Sequence, residues 1–286
     1  MKSKHILFLA LLFITLIWGS TFALIKVALD SIGPFYFLAI RFSLASIVML
    51  IIFRKSFKEH KIHFGYILAG VFLFLGYVFQ TVGLKYTSAS NAAFITGLSV
   101  VIVPFLEVIF MKRKLPCTSI LGAISSALGL WLLTGLYNFN MNYGDFLLLI
   151  CALCFASQII VVGICSPNSN TGVISTTQVI VVAILSWISI PIFGERLNTP
   201  ISANAIWAII ITAIFATALA FYIQALAQRS INPTTVALIF ATEPVFGGIF
   251  GYLLLGEILS PSALFGAGLI LLGMILTQIP ERRRKE

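Results

Sequence analysis

GAISSALGLWLLT, residues 122–134, returns 144 positions later as GAGLILLGMILTQ, residues 266–278. Both copies carry a Gly-Ala pair, at Gly122-Ala123 and Gly266-Ala267, and a second glycine seven residues on, at Gly129 and Gly273. Carried outward, the same shift lays 80–134 on 224–278 without a gap, with ten of 55 positions identical. The matches include Gln80/Gln224, Ile95/Ile239 and Val101/Val245, and Lys85 falls on Arg229. A shift near 137 overlays the start of the chain on its middle and places Arg41 on Gln178. One pattern is used twice.

Composition says where such a pattern must fold. Of 286 residues, 60% are hydrophobic and 9% charged, with a mean hydropathy of +1.08. Soluble domains are about 45–50% apolar and about 25% charged, so there is too little polar surface here to wrap a core. The net charge of +9 sits in short gaps between apolar runs, which excludes the clustered basic face of a nucleic-acid binder. A spanning helix needs about 20 apolar residues. Ten segments qualify: 5–29, 33–53, 64–84, 88–110, 117–136, 145–165, 172–193, 205–227, 233–255 and 261–279. Lys2 and Lys4 precede the first run as in a signal peptide, but Ile6 to Leu29 is too long for a cleaved leader. The four cysteines (Cys117, Cys151, Cys154, Cys165) lie in or beside apolar runs and do not read as a disulfide framework.

The expected fold is an all-α polytopic membrane protein of ten transmembrane helices. Residues 1–136 and 145–279 form two five-helix repeats, followed by a basic tail, 280–286. Five spans per half is an odd number, so the halves cross the bilayer with opposite polarity. Fourteen Lys/Arg fall on the side of the N-terminus, against Lys26, Lys85 and Arg196 on the other, which predicts cytoplasmic termini. The tail is expected to meet anionic lipid. Inverted repeats are the architecture of many secondary transporters, with the site at the repeat interface. A small-molecule substrate is the expected partner. No cofactor or metal set is suggested: His5, His60 and His63 sit at span ends, and Cys151 and Cys154 have no companion ligands. An intramembrane enzyme is therefore not expected. A channel or non-transporting receptor is the alternative from another class.

Specific stretches carry a resemblance. LIWGSTFAL (16–24) is followed by Lys26, and PFYFLAIRFSLASIVML occupies 34–50. EPVFGGIFGYLLLGEI (243–258) precedes Gly266, Gly268 and Gly273. Together they resemble the drug/metabolite transporter superfamily, in its EamA branch of ten-helix bacterial permeases. The resemblance implies a proton-linked or facilitative carrier in the inner membrane, often an exporter, for amino acids or related metabolites. Uptake of a nucleoside or sugar derivative is the runner-up. One departure is that Gly256-Glu257 of the second half is matched by Lys112-Arg113 in the first, where family members often keep Gly-Glu.

Ionisable groups inside a bilayer are costly and functional by default. Arg41 lies eight residues into its span and Glu243 at the midpoint of 233–255. Neither reaches water along its own helix, so two readings stand: a permanent ion pair, or Arg41 on a substrate carboxylate with Glu243 exchanging a proton. Glu107, near the end of its span, is expected to snorkel to the interface and meet Lys112 or Arg113. Lys26 and Asp145 are read as interfacial, Asp145 at a helix N-terminus. Pro104 and Pro244 are expected to interrupt equivalent spans, a pointer to the site. Tyr77 and Gln80 share one helix face, as do Thr217, Phe221 and Gln224. Tyr77 is read as substrate-binding, and the two glutamines as residues of opposite gates. Trp18, Ser157 and Gln158 are candidate cavity residues, and the spans holding Gly122, Gly129, Gly266 and Gly273 are read as scaffold.

Overall fold

The computed structural model describes residues 2–87, 92, 95–112, 114–134, 142–196, 200–255 and 260–276. Arg113, Gly256, Glu257 and the basic tail lie outside them, as does the side chain of Lys26. The described residues form helices α1 (Lys2–Ala28), α2 (Pro34–Glu59), α3 (Phe64–Gly83), α4 (Ser99–Met111), α5 (Cys117–Thr134) and α6 (Tyr143–Cys165). After these come α7 (Thr171–Ile192), α8 (Ala203–Ala227), α9 (Pro233–Phe240), α10 (Glu243–Leu255) and α11 (Pro261–Leu276). Seven helices are long and apolar enough to cross a membrane, and Ile95–Met111, Cys117–Leu132 and Pro261–Leu276 are shorter apolar helices. The expected span 233–255 is the α9–α10 pair in line.

Helix starts follow local chemistry. The side chains of Asn142, Asn170 and Asn232 each accept a backbone N–H in the first turn of α6, α7 and α9, the favoured use of asparagine at an N-cap. Asp145 completes a capping box with Asn142 and takes the Thr87 hydroxyl at 2.6 Å, as its N-terminal placement predicted. α2 runs beyond the expected end at 53 to Glu59, because Arg54–Glu59 are good helix formers in water and no breaker precedes His60.

Glu107 corrects the sequence reading. It is 2% exposed and does not snorkel; its Oε2 accepts the Thr234 N–H at 3.0 Å and the Thr234 hydroxyl at 2.6 Å. Orphan donors and the positive end of α9 attract the carboxylate more than two interfacial cations do. Glu107→Ala is expected to destabilise the protein by about 2–3 kcal/mol, since a buried donor is left unpaired. Glu107→Gln, which keeps an acceptor, should lose less; thermal unfolding in detergent measures both.

The repeat is visible in the packing of α5 on α11. Gly122 faces the carbonyl of Gly273, while Gly129 faces the carbonyl of Gly266. The first glycine of each helix thus meets the second glycine of the other. Between them the Ser125 hydroxyl donates to the Leu269 carbonyl at 2.8 Å, and 125 and 269 are themselves repeat equivalents. Reciprocal contacts of this kind mark a two-fold relation with its axis between the helices, and they make this pair a scaffold. α3 packs along α6 and α7, α2 along α7, and α1 along α8 and α10.

Two interruptions flank the centre. One turn at Leu98 precedes α4, and another at Ala241–Thr242 separates α9 from α10; a shift of 144 places 98 on 242. The Thr242 hydroxyl donates to the Ile239 carbonyl at 2.7 Å and lies 3.0 Å from that of Thr15 on α1, which re-satisfies backbone freed by the break. Pro244 stands directly after its break, in the first turn of α10, where a missing N–H costs nothing. Pro104 is different from the expectation: it lies inside α4, beyond the break at Leu98, and the helix continues through it.

Candidate functional site

One cavity opens where both interruptions meet α1, α2, α3, α6 and α8. It has a volume of about 90 Å³, enough for several waters. Trp18, Arg41, Tyr77, Gln80, Gln158, Gln224, Glu243 and Pro244, all named from sequence, line it. Pro104 is not among the lining residues, and Ser157 turns back to the Leu153 carbonyl at 2.8 Å.

The lining falls into repeat-related pairs. Trp18/Phe155 and Thr21/Gln158 correspond by the 137 shift, and Tyr77/Phe221, Gln80/Gln224 and Ser99/Glu243 by the 144 shift. The cavity therefore straddles the two-fold relation. The charges break it: Glu243 is matched by Ser99, and Arg41 by Gln178.

Arg41 is 2% exposed. Its Nε donates to Thr217 Oγ1 at 2.8 Å and its Nη2 to the Ala216 carbonyl at 3.4 Å. The guanidinium lies beside the adjacent rings of Phe42 and Tyr77, at 5.4 Å and 5.0 Å, where the ring quadrupole favours a cation. Glu243 opens α10, whose N-terminal dipole favours its negative charge. Among the described residues neither charge forms an ion pair, so the permanent Arg41–Glu243 pair weighed from sequence is not formed. Aromatic rings form the rest of the wall: Trp18 packs edge-on to Phe240 at 4.8 Å, and Tyr77 to Phe155 at 5.3 Å.

Four glutamines form a buried amide chain at one end. Gln158 donates to Gln178 at 2.8 Å, Gln224 donates to Gln158 at 3.0 Å and to Gln228 at 3.2 Å, and Gln228 donates to the Ile159 carbonyl at 2.7 Å. Sequence reasoning had two of the four. Gln178 was noticed only as the match of Arg41, and Gln228 not at all, although it lies one turn beyond Gln224. Gln80 and Gln224 each stand near the end of their helix, on α3 and α8. Both line the cavity.

A polytopic helical protein with a cavity at paired helix breaks has the architecture of many membrane transporters. The chain belongs to the EamA-like transporter family, whose model matches residues 5–135 and again 142–279. It is 37% identical over 276 residues to an uncharacterised transporter of Archaeoglobus fulgidus, covering 95% of this chain and 85% of that protein. It is 28% identical to the S-adenosylmethionine/S-adenosylhomocysteine transporter of Chlamydia muridarum, over 94% of this chain and 90% of the other. A protein of known crystal structure superposes with a TM-score of 0.82 at 18% identity, over 96% of this chain and 98% of that one, which shows the fold. This is a small-molecule membrane transporter and not an enzyme.

Proposed function

We propose that the chain carries a zwitterionic, amino-acid-type metabolite by alternating access, held in the central cavity with its carboxylate at Arg41 and its ammonium at Glu243. The observation that carries this reading is one basic and one acidic side chain, Arg41 and Glu243, lining one buried cavity without pairing to each other. A buried charge costs several kcal/mol unless it is compensated. A ligand bearing both charges compensates both at once, while the aromatic wall suits an apolar side chain. The named cargo of the Chlamydia relative agrees in chemistry, since S-adenosylmethionine and S-adenosylhomocysteine both contain an α-amino acid group.

The two halves supply the motion. A pattern folded twice in opposite orientation gives two states of similar energy, each opening the cavity to one face. Gln80 and Gln224 act as gate residues at opposite ends, and a proton competes with the cargo ammonium at Glu243, which couples the fluxes. The basic balance supports cytoplasmic termini, and the family resemblance favours export.

Counterflow in proteoliposomes tests this, with vesicles preloaded in turn with amino acid, nucleoside and sugar pools. Saturable exchange is expected for the amino acid pool. Saturable exchange confined to sugars or nucleosides would move the cargo assignment. Flux that rises linearly without counterflow would indicate a channel.

A further inference from the structure

α8 does not cross the cavity as a plain α-helix. Ile214–Leu219 is π-helical, and the Ala220 N–H bonds the Thr217 carbonyl instead of its α-helical acceptor, Ala216. Single π turns inserted in α-helices are frequent at functional sites because they re-aim backbone groups. Here the Ala216 carbonyl receives the Trp18 indole N–H at 2.9 Å as well as Arg41 Nη2 at 3.4 Å. The next residue, Thr217, takes Arg41 Nε at 2.8 Å. Both acceptors on α8 are buried. A guanidinium has N–H groups in a fixed planar fork, so fixing the Nε–Nη2 edge fixes the whole plane. Arg41 also lines the cavity, and its bonds to α8 engage Nε and Nη2.

From this geometry we propose that the π turn of α8 is the seat that aims Arg41, with Thr217 as the positioning residue for carboxylate recognition. The inference rests on the zwitterion reading for its consequence in transport, although the seat itself can be tested without cargo. Thr217 holds the guanidinium against the neighbouring Phe42 and Tyr77 rings. Without its oxygen, the longer Ala216 bond is what remains of the docking on α8, and the plane is held less firmly. The shared carbonyl also ties Arg41 on α2 to Trp18 on α1, so both helices register on one turn of α8.

The first measurement is modification of Arg41 by phenylglyoxal in the purified full-length protein, followed by mass spectrometry. Thr217→Val, of nearly the same shape, is expected to raise the rate about tenfold, as loss of one hydrogen bond to a charged group allows. Thr217→Ser should restore the wild-type rate, and Thr217→Ala serves in place of the valine variant if that one does not fold. Equal rates in wild type, Thr217→Val and Thr217→Ser would overturn the seat. The second measurement compares L-leucine with 3-methylbutylamine, its decarboxylated form, as competitors in counterflow. Thr217→Val should weaken leucine about tenfold and leave the amine unchanged, whereas equal weakening of both would reduce Thr217 to a packing residue and overturn the positioning role. Wild-type protein that exchanges no compound of the amino acid pool would sink the cargo reading, while the modification rates would still decide the seat.

Discussion

Glu243→Gln is expected to cut saturable cargo exchange by about 30-fold or more, the effect of removing one member of a buried charge interaction, while the purified protein keeps its fold. No described side chain depends on the Glu243 carboxylate for a hydrogen bond, and glutamine has the same shape without a charge to bury. The loss should therefore fall on cargo and proton and not on stability. Exchange by the variant should also stop responding to pH, because the group at which proton and ammonium compete is gone. Initial exchange rates across a pH series, with thermal unfolding in detergent as the folding control, provide the comparison. A variant that exchanges normally and keeps the wild-type pH response would remove Glu243 from the mechanism.

The second large effect concerns the scaffold. Gly129→Val should destabilise the protein by about 3 kcal/mol, at the upper end for overpacking. A Cβ at this position would stand 2.5 Å from the Gly266 carbonyl oxygen and 2.9 Å from the Ile270 nitrogen. Both are backbone atoms of α11, which no rotamer change can move aside. The helices must separate, and the bond from Ser125 to the Leu269 carbonyl goes with their contact. Gly268 is the internal control: nothing lies within 4 Å of its position. Gly268→Ala should be neutral, or slightly stabilising through helix propensity. Unfolding temperatures of the two variants in one detergent make the test, and equal effects would show that close α5–α11 approach does not hold the halves together.

The helical membrane fold was legible because hydropathy and the 144-residue repeat are properties of the chain alone. Much of the cavity was legible for a related reason. In an apolar span a polar side chain such as Arg41, Gln158 or Glu243 is conspicuous, and its depth follows from its position. The geometry that gives these residues their settings was not legible. IFATAL, residues 214–219, is an ordinary apolar run, and its π turn is sustained by bonds to residues almost two hundred positions away, such as Trp18. The break at Ala241–Thr242 carries a tertiary contact, Thr15 to Thr242, and is marked by Pro244, whereas Pro104 lies inside α4 and gives no signal of the break at Leu98. Glu107 was misplaced because its partner, Thr234, is 127 residues distant and acts through a helix end that does not exist until the chain folds.

The binding of a matched trio tests the central claim most directly. The amino acid with the strongest counterflow would be compared, as a competitor, with its decarboxylated amine and its deaminated acid. If the cargo bridges Arg41 and Glu243, the zwitterion binds about 30-fold or more tightly than either single-charge analogue, since each leaves one buried charge unmatched. An amine or an acid that competes as well as the zwitterion would contradict it, and would show that only one of the two charges meets the cargo.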